Sequence, residues 1–222
     1  MSITVIDYGS GNLKSAAKAL ELAANNVNVS SKIVVTSDPK IIKQSDKIVL
    51  PGQGSFRDCY LGIKKIPGLD ETLNEFVLEK KKPILGICVG MQLMAGTGHE
   101  NGSHQGFGWI DGEVVPLAPT NGLKVPHMGW NDLTISMPDH PVLAGLECGT
   151  HTYFVHGYHL QCDRDSDIVA TVDYGVTLTA IVGRGNLIGT QFHPEKSGDT
   201  GLRLLSNFLR WDGGQPVFRP VS

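Results

Sequence analysis

Charge is scarce in this sequence. Lys, Arg, Asp and Glu together make up 18% of the 222 residues, and their near balance leaves a net charge of -3. A protein that grips phosphate backbones carries a basic excess, so nucleic acid is not an expected partner. Cysteine is sparse as well. Cys59, Cys88, Cys148 and Cys162 form no Cys-x-x-Cys pair and no regular framework, so reduced thiols are expected in place of disulfides. No apolar run is long enough to span a bilayer. The chain opens Met1-Ser2-Ile3-Thr4-Val5-Ile6 directly into a strand, with no basic and apolar leader before it, which leads us to expect a cytoplasmic protein without membrane contact. What is plentiful is glycine, 27 residues, against a hydrophobic content of 41%. That is the composition of an ordinary α/β domain with many tight turns, here expected over residues 1–211, followed by an irregular tail over 212–222.

The first half alternates strand and helix. Ile3–Asp7 reads as a buried strand and Leu13–Ala24 as a helix, with Lys32–Thr36, Pro39–Lys43, Lys47–Leu50, Phe56–Ile63 and Asp70–Lys81 continuing the pattern. Between the first pair lies Gly9-Ser10-Gly11, which lacks the third glycine of a dinucleotide loop because Lys14 stands in its place. A cofactor is therefore not expected. Beyond the expected elbow at Cys88 the texture changes: Gly96–Gly112 is glycine-rich and loop-like, and short β-type segments follow at Glu113–Leu117, Asp132–Ser136, Thr152–Tyr158, Ile168–Tyr174, Leu178–Gly183 and Leu187–Phe192, before a closing helix over Gly201–Trp211. Strands this closely spaced imply antiparallel additions to a parallel core.

Two stretches carry chemistry. Pro83–Ile87 is an apolar run typical of a strand buried on both faces, and it stops at Gly86-Ile87-Cys88-Val89-Gly90. Gly-x-Cys-x-Gly is the thiol form of a strand-turn-helix elbow, in which the glycines let strand and helix approach while one side chain is pushed out. Cys88 is thus expected exposed at a strand end. A helix over Val89–Ala95 is expected behind it, with free N–H groups that favour a thiolate. The competing reading is a small buried apolar residue, as most free cysteines are.

The second stretch, Phe192-His193-Pro194-Glu195, tips that balance. Pro194 holds His193 out of helical geometry and directs Glu195, so that imidazole and carboxylate can lie side by side. A cysteine nucleophile needs an imidazole to move its proton and an acid to orient that imidazole. Upstream, the Pro51-Gly52-Gln53-Gly54 loop can present backbone N–H groups to a developing oxyanion, though locally it reads equally well as a plain turn. Histidines recur between Gly149 and Leu160, but His156 and His159 point to opposite faces of an extended strand. His151 lies about 26 Å from His159 at strand spacing, so no metal site is expected.

Together, Gly86–Gln92 and Phe192–Glu195 resemble the class I (triad) glutamine amidotransferases. Within that class, Asp7–Asn12, Pro126–Asn131, Tyr153–His156 and Lys196-Ser197 are similar to the glutamine amidotransferase subunits of imidazole glycerol phosphate synthases. The resemblance implies a flavodoxin-like open, mainly parallel sheet with helices on both faces and added antiparallel strands in the C-terminal half. It implies Cys88, His193 and Glu195 as the triad acting on glutamine through a thioester, without a cofactor. It implies an oxyanion hole from Val89, Gly52, Gln53 and Gly54, and glutamine contacts from Gln92, Glu100, Gly157 and Tyr158. It also implies a heterodimer with a (β/α)8-barrel cyclase subunit that receives the ammonia, docked near Tyr8, Asn12, Pro126, Met128, Trp130, Asn131, Tyr153 and Lys196. Gln53 departs from the small aliphatic residue usual in that loop. Other readings stay open on sequence: the glutaminase of another synthase, such as that of pyridoxal phosphate, a non-catalytic docking module of the same fold, or a flavodoxin-like nucleotide binder.

Overall fold

The structure is a computed structural model that describes residues 1–120 and 122–214. Its strands are β1 (Ser2–Ile6), β2 (Lys32–Thr36), β3 (Lys47–Gly52), β4 (Ile84–Cys88), β5 (Thr97–Gly98), β6 (His104–Gln105), β7 (Gly112–Pro116), β8 (His127–Ile135), β9 (His151–His156), β10 (Tyr158–Cys162), β11 (Ile168–Asp173), β12 (Thr177–Arg184) and β13 (Leu187–Thr190). The helices are α1 (Leu13–Asn26), α2 (Pro39–Gln44), α3 (Phe56–Lys64), α4 (Leu69–Asn74), α5 (Val89–Gln92) and α6 (Gly198–Arg210).

Nine strands make one sheet in the order β2-β1-β3-β4-β13-β12-β11-β8-β9. From β2 to β13 every pairing is parallel, and from β13 to β9 every pairing is antiparallel. The expected flavodoxin-like parallel core with antiparallel additions is what the chain forms. β1, β3 and β4 are buried on both faces, with Ile, Val and Leu making up more than half of their residues, the composition that helices on both sides of a sheet favour. α1 packs on α6, while α2 and α3 pack on α4.

A second sheet, β10-β7-β5-β6, covers the end where the first sheet's parallel strands finish. Here the structure corrects the sequence reading. Thr152–Tyr158 is not one strand. The chain turns at Gly157, leaving β9 in the large sheet and β10 in the small one, because the N–H of Leu117 takes the Gly157 carbonyl at 2.9 Å and β10 then pairs along β7. His156 and His159 therefore belong to different sheets. The Gly96–Gly112 region, expected as loop, contributes β5 and β6.

Asp70–Lys81 is also not a single α-helix. α4 passes at Glu75 into a wider π-type turn that ends at Glu79, and the N–H of Lys80 reaches Glu75 O at 2.9 Å. Of the three lysines that follow, Lys80 and Lys81 are exposed, while Lys82 Nζ reaches Ser45 O at 2.6 Å across the Phe76 ring. Of the tail, Asp212–Gly214 is described, and Trp211 Nε1 donates to Gly214 O at 2.7 Å. Residues 215–222 lie outside the described part.

Candidate active site

β4 delivers Cys88 to the C-terminal edge of the parallel strands, next to β3 and β13. Its backbone sits at φ 53, ψ -113, a conformation that costs a non-glycine residue about 1–3 kcal/mol and that tertiary packing must hold. Glycine provides that packing. A Cβ on Gly90 would lie 1.8 Å from Leu50 O, and one on Gly52 would lie 2.5 Å from Gly90 N, so β3 and the elbow touch backbone to backbone.

Two expectations change here. Cys88 is 5% exposed, not pushed into solvent, because the β3 loop, the β9–β10 corner and the His193 turn close around it. The helix behind it also ends at Gln92. Beyond Leu93 the bonds tighten to i→i-3, and the carbonyls of Leu93, Met94 and Ala95 go to the N–H groups of Phe107, Ile110 and Gly108. A single turn carries little macrodipole, so a charged neighbour for Cys88 has to come from a side chain.

His193 supplies that. The chain leaves β13 extended at φ -97, ψ 98 and folds at once into a 3-10 turn over Pro194–Lys196, which brings Glu195 Oε1 to 2.8 Å from His193 Nδ1. The Glu195 side chain is 3% exposed, and its Oε2 has no partner. Nδ1 donates to the carboxylate, and the same ring lines the cavity with Cys88. Burial alone would push the imidazole down. The Cys88 side chain, then Glu195, outweigh it and raise the pKa to about 9. The turn is stitched to β9: His193 N–H donates to Tyr153 O at 3.0 Å, Ser197 Oγ donates to His193 O at 2.7 Å, and Tyr153 N–H donates to Ser197 Oγ at 3.0 Å.

These groups face a cavity of about 310 Å³, within the range of small-ligand sites. Val89, Gln53 and Gly54 line it with Cys88 and His193, as do Gln92, Glu100, Gly157 and Tyr158. Gly52 backs it through its pairing with Cys88. The Gln53 peptide is held elsewhere: its N–H donates to Ser10 Oγ at 3.2 Å, and its carbonyl accepts from Ser10 Oγ and from Cys59 Sγ. Glu100 accepts the N–H of Phe56 at 2.7 Å. Gln92 spends both amide hydrogens inside the protein, on Tyr158 O at 2.9 Å and Gln191 Oε1 at 3.0 Å, which leaves its own carbonyl oxygen for a ligand.

Of the expected docking residues, Met128 and Trp130 are 63% and 57% exposed on β8. Trp130 meets Tyr153 edge to face at 6.0 Å, and Lys196 Nζ lies 5.8 Å over the Tyr153 ring. Pro126 and Lys196 reach the cavity rim. Asn12 is half-buried before α1 and makes no side-chain cap. Tyr8 does not fit a surface role: it is 5% exposed and its hydroxyl donates to Pro51 O at 2.6 Å, so it braces the β3 loop from behind.

Sequence reasoning missed Gln191, His127 and His156. Gln191 is fully buried with Nε2 3.7 Å from Cys88 Sγ, and His127 Nδ1 lies 3.0 Å from His156 Nε2. His127 and His156 sit inside motifs already singled out, and Gln191 immediately precedes the Phe192–Glu195 motif. The signal was the two-residue period, which puts His127 and His156 on the inner face of the β8–β9 pair. Among the described residues, no three His, Cys, Asp or Glu side chains gather as a metal site, and no helix is long and apolar enough to cross a membrane.

Comparison with known proteins agrees with this architecture. The family described as Glutamine amidotransferase class-I matches residues 4–211. The imidazole glycerol phosphate synthase subunit HisH of Rhodospirillum rubrum is 53% identical over 212 residues, covering 95% of this chain and 99% of that protein. The subunit of the same name from Cereibacter sphaeroides is 51% identical with the same coverage. A crystal structure of a glutamine amidotransferase from Thermotoga maritima superposes with a TM-score of 0.60 at 19% identity, over 95% of this chain and 83% of that one. On a family match across nearly its whole length and relatives at half identity, the chain belongs to the class-I glutamine amidotransferases, and within them to the family of imidazole glycerol phosphate synthase HisH subunits.

Proposed function

We propose that this chain is the glutaminase subunit of an imidazole glycerol phosphate synthase, working in histidine biosynthesis with a separate (β/α)8-barrel cyclase subunit as a heterodimer. The observation that carries the chemical part is that Cys88 and His193 line one cavity, with Glu195 on His193 Nδ1 behind them.

In this reading, Cys88 Sγ attacks the side-chain carboxamide carbon of glutamine as a thiolate paired with the His193 imidazolium. His193 gives its proton to the departing nitrogen, which leaves as ammonia, and the acyl group stays on sulfur as a thioester. Water then enters, His193 takes its proton, and the new C–O bond displaces Cys88 to release glutamate. Glu195 keeps Nδ1 protonated, so that the opposite ring nitrogen faces the reacting atoms. The Val89 N–H and a reoriented peptide of the Gly52-Gln53-Gly54 loop hold the oxyanion. The Gln92 carbonyl oxygen, Glu100 and the Gly157-Tyr158 backbone hold the amino-acid end of glutamine. The ammonia passes to the cyclase, which makes imidazole glycerol phosphate and aminoimidazole carboxamide ribotide.

The test is glutamate release by the purified chain, alone and with the cyclase subunit plus its nucleotide substrate or an analogue. Low activity alone and a large rise in the liganded complex is the expected result. Equal, substantial activity in both settings would mean a free-standing amidohydrolase and would remove the partner. Glutamate production by Cys88→Ala in the complex would remove the nucleophile.

A further inference from the structure

Two imidazoles that the glutaminase chemistry does not use lie directly across from each other on β8 and β9. His127 pairs in register with His156, and the rings are 2% and 5% exposed. Their hydrogen bonds fix which nitrogens carry protons. His156 Nδ1 lies 2.9 Å from Tyr158 O, and a carbonyl only accepts, so Nδ1 is protonated and Nε2 carries the lone pair. His127 Nδ1, 3.0 Å from that lone pair, must donate to it. His127 Nε2 is then an acceptor, and it receives Asn131 Nδ2 at 3.3 Å. The other hydrogen of that amide goes to Asp173 O at 2.8 Å, and Asn131 Oδ1 accepts the N–H of Asp132. Every donor in the run has one acceptor, so the chain has a single polarity. Burial pushes His127 down to about 4 and His156 down to about 3, so both rings stay neutral and the polarity persists through the physiological range.

At Tyr158 O this run meets a second one, of opposite sense, that leads to the thiol. Tyr158 O also accepts from Gln92 Nε2 at 2.9 Å, the other Gln92 hydrogen goes to Gln191 Oε1 at 3.0 Å, and Gln191 Nε2 lies 3.7 Å from Cys88 Sγ. At its outer end, Asn131 is half-buried beside Trp130 on the exposed part of β8. Gly129, at φ 138 midway between His127 and Asn131, lets the strand coil so that Asn131 reaches back to His127.

Resting on the glutaminase reading above, we infer that His127 and His156 are positioning residues: a neutral hydrogen-bonded pair of fixed polarity that sets Gln92, Gln191 and through them Cys88 according to how Asn131 is held at the docking edge. The two ends meet at the Tyr158 carbonyl, which accepts from both His156 and Gln92. Turning the Asn131 amide withdraws the donor from buried His127 Nε2; satisfying that acceptor again requires the ring to turn, which takes its Nδ1–H from His156 and loosens the hold on the carbonyl that Gln92 shares.

His127→Phe isolates the pair, since the ring also stacks on Tyr174 at 4.0 Å and on Phe154 at 4.7 Å, and phenylalanine keeps both stacks while removing donor and acceptor. His127→Gln restores one donor and one acceptor. In the complex with cyclase and nucleotide analogue, His127→Phe is expected to lower kcat for glutamate release about tenfold with the KM for glutamine changed less than about threefold, and His127→Gln to recover most of kcat. Full activity of His127→Phe, or equal loss in both variants, would overturn the inference. Should His127→Phe lack a cooperative melting transition, nitrogen NMR of the histidine-labelled native chain decides. Both rings are expected as Nδ1–H tautomers from about pH 6 to 9, and an Nε2–H tautomer in either would overturn the assignment. A native complex that releases no glutamate at all would sink the glutaminase reading instead, while the tautomers would still report on the pair.

Discussion

A histidine buried between a cysteine and a glutamate keeps its proton further into the alkaline range than one in water. His193 is raised from 6.5 to about 9, its neighbours Cys88 and Glu195 prevailing over burial. Because the folded value lies above the unfolded one, the protonated ring adds stability that is complete below about 6.5 and lost as pH rises through about 9. The same proton is the one proposed to leave with ammonia, so kcat of the partnered enzyme should fall above about 9. Glu195→Gln removes one of the two raising groups and should shift that alkaline limb toward neutrality, together with a loss of rate. A pH profile of glutamate release reads both, and an unmoved limb would mean that Glu195 does not tune His193. Ser10 makes a second residue-scale case. It holds the Gln53 peptide from both sides, so Ser10→Ala should free the loop and raise glutamate release by the chain alone about fivefold, the factor set by a hydrogen bond of about 1 kcal/mol. An unchanged resting rate would place the restraint elsewhere. Gln53 was legible as a departure from its family's loop. Its restraint was not, because Ser10 stands 43 residues away and belongs to a different loop.

At the scale of elements, what sequence predicts well is whatever local pattern decides. β1, β3 and β4 are near-continuous apolar runs and form where expected, and Pro194 puts Glu195 beside His193 by local geometry alone. What it misses is decided by partners distant in the chain. Nothing local ends α5 at Gln92; the N–H groups of Phe107, Gly108 and Ile110 do, by taking the carbonyls that a longer helix would need. Nor does alternation break at Gly157, where β7 draws β10 into the second sheet. The elbow is the opposite case, a local signature with a tertiary cause. Gly90 is required because the Leu50 carbonyl occupies the place of a side chain, and backbone cannot move aside as a flexible side chain would. Gly90→Ala should therefore destabilise the fold by about 3 kcal/mol or more, at the upper end of overpacking costs. Urea denaturation measures this. A loss below about 1 kcal/mol would mean that β3 and the elbow slide past each other freely, against the close packing described.

For the whole molecule, the question is how an exposed edge and a buried thiol come to belong to one site. β8 and β9 answer it by their two faces. Trp130, Met128, Tyr153 and, from the turn after β13, Lys196 gather on the outward face, while His127, His156 and Phe154 fill the inward one. A tryptophan and a methionine more than half exposed at alternate positions of one strand are unusual for a surface that stays wet, and aromatic side chains of this kind anchor protein interfaces. Trp130→Ala should accordingly weaken binding of the cyclase subunit by about 2 kcal/mol, roughly thirtyfold, in titration calorimetry. The melting temperature of the free chain should stay within about 2 °C, because little of that side chain is buried in it. The two faces then predict different failures. Raising the cyclase concentration should restore the stimulated glutamate release of Trp130→Ala, whose defect is occupancy. It should leave His127→Phe impaired, whose defect lies inside a complex already formed. If saturating partner rescues both, the inward face does no more than support the outward one. If it rescues neither, Trp130 acts on the chemistry and not on docking, and the division between the faces of β8 and β9 fails.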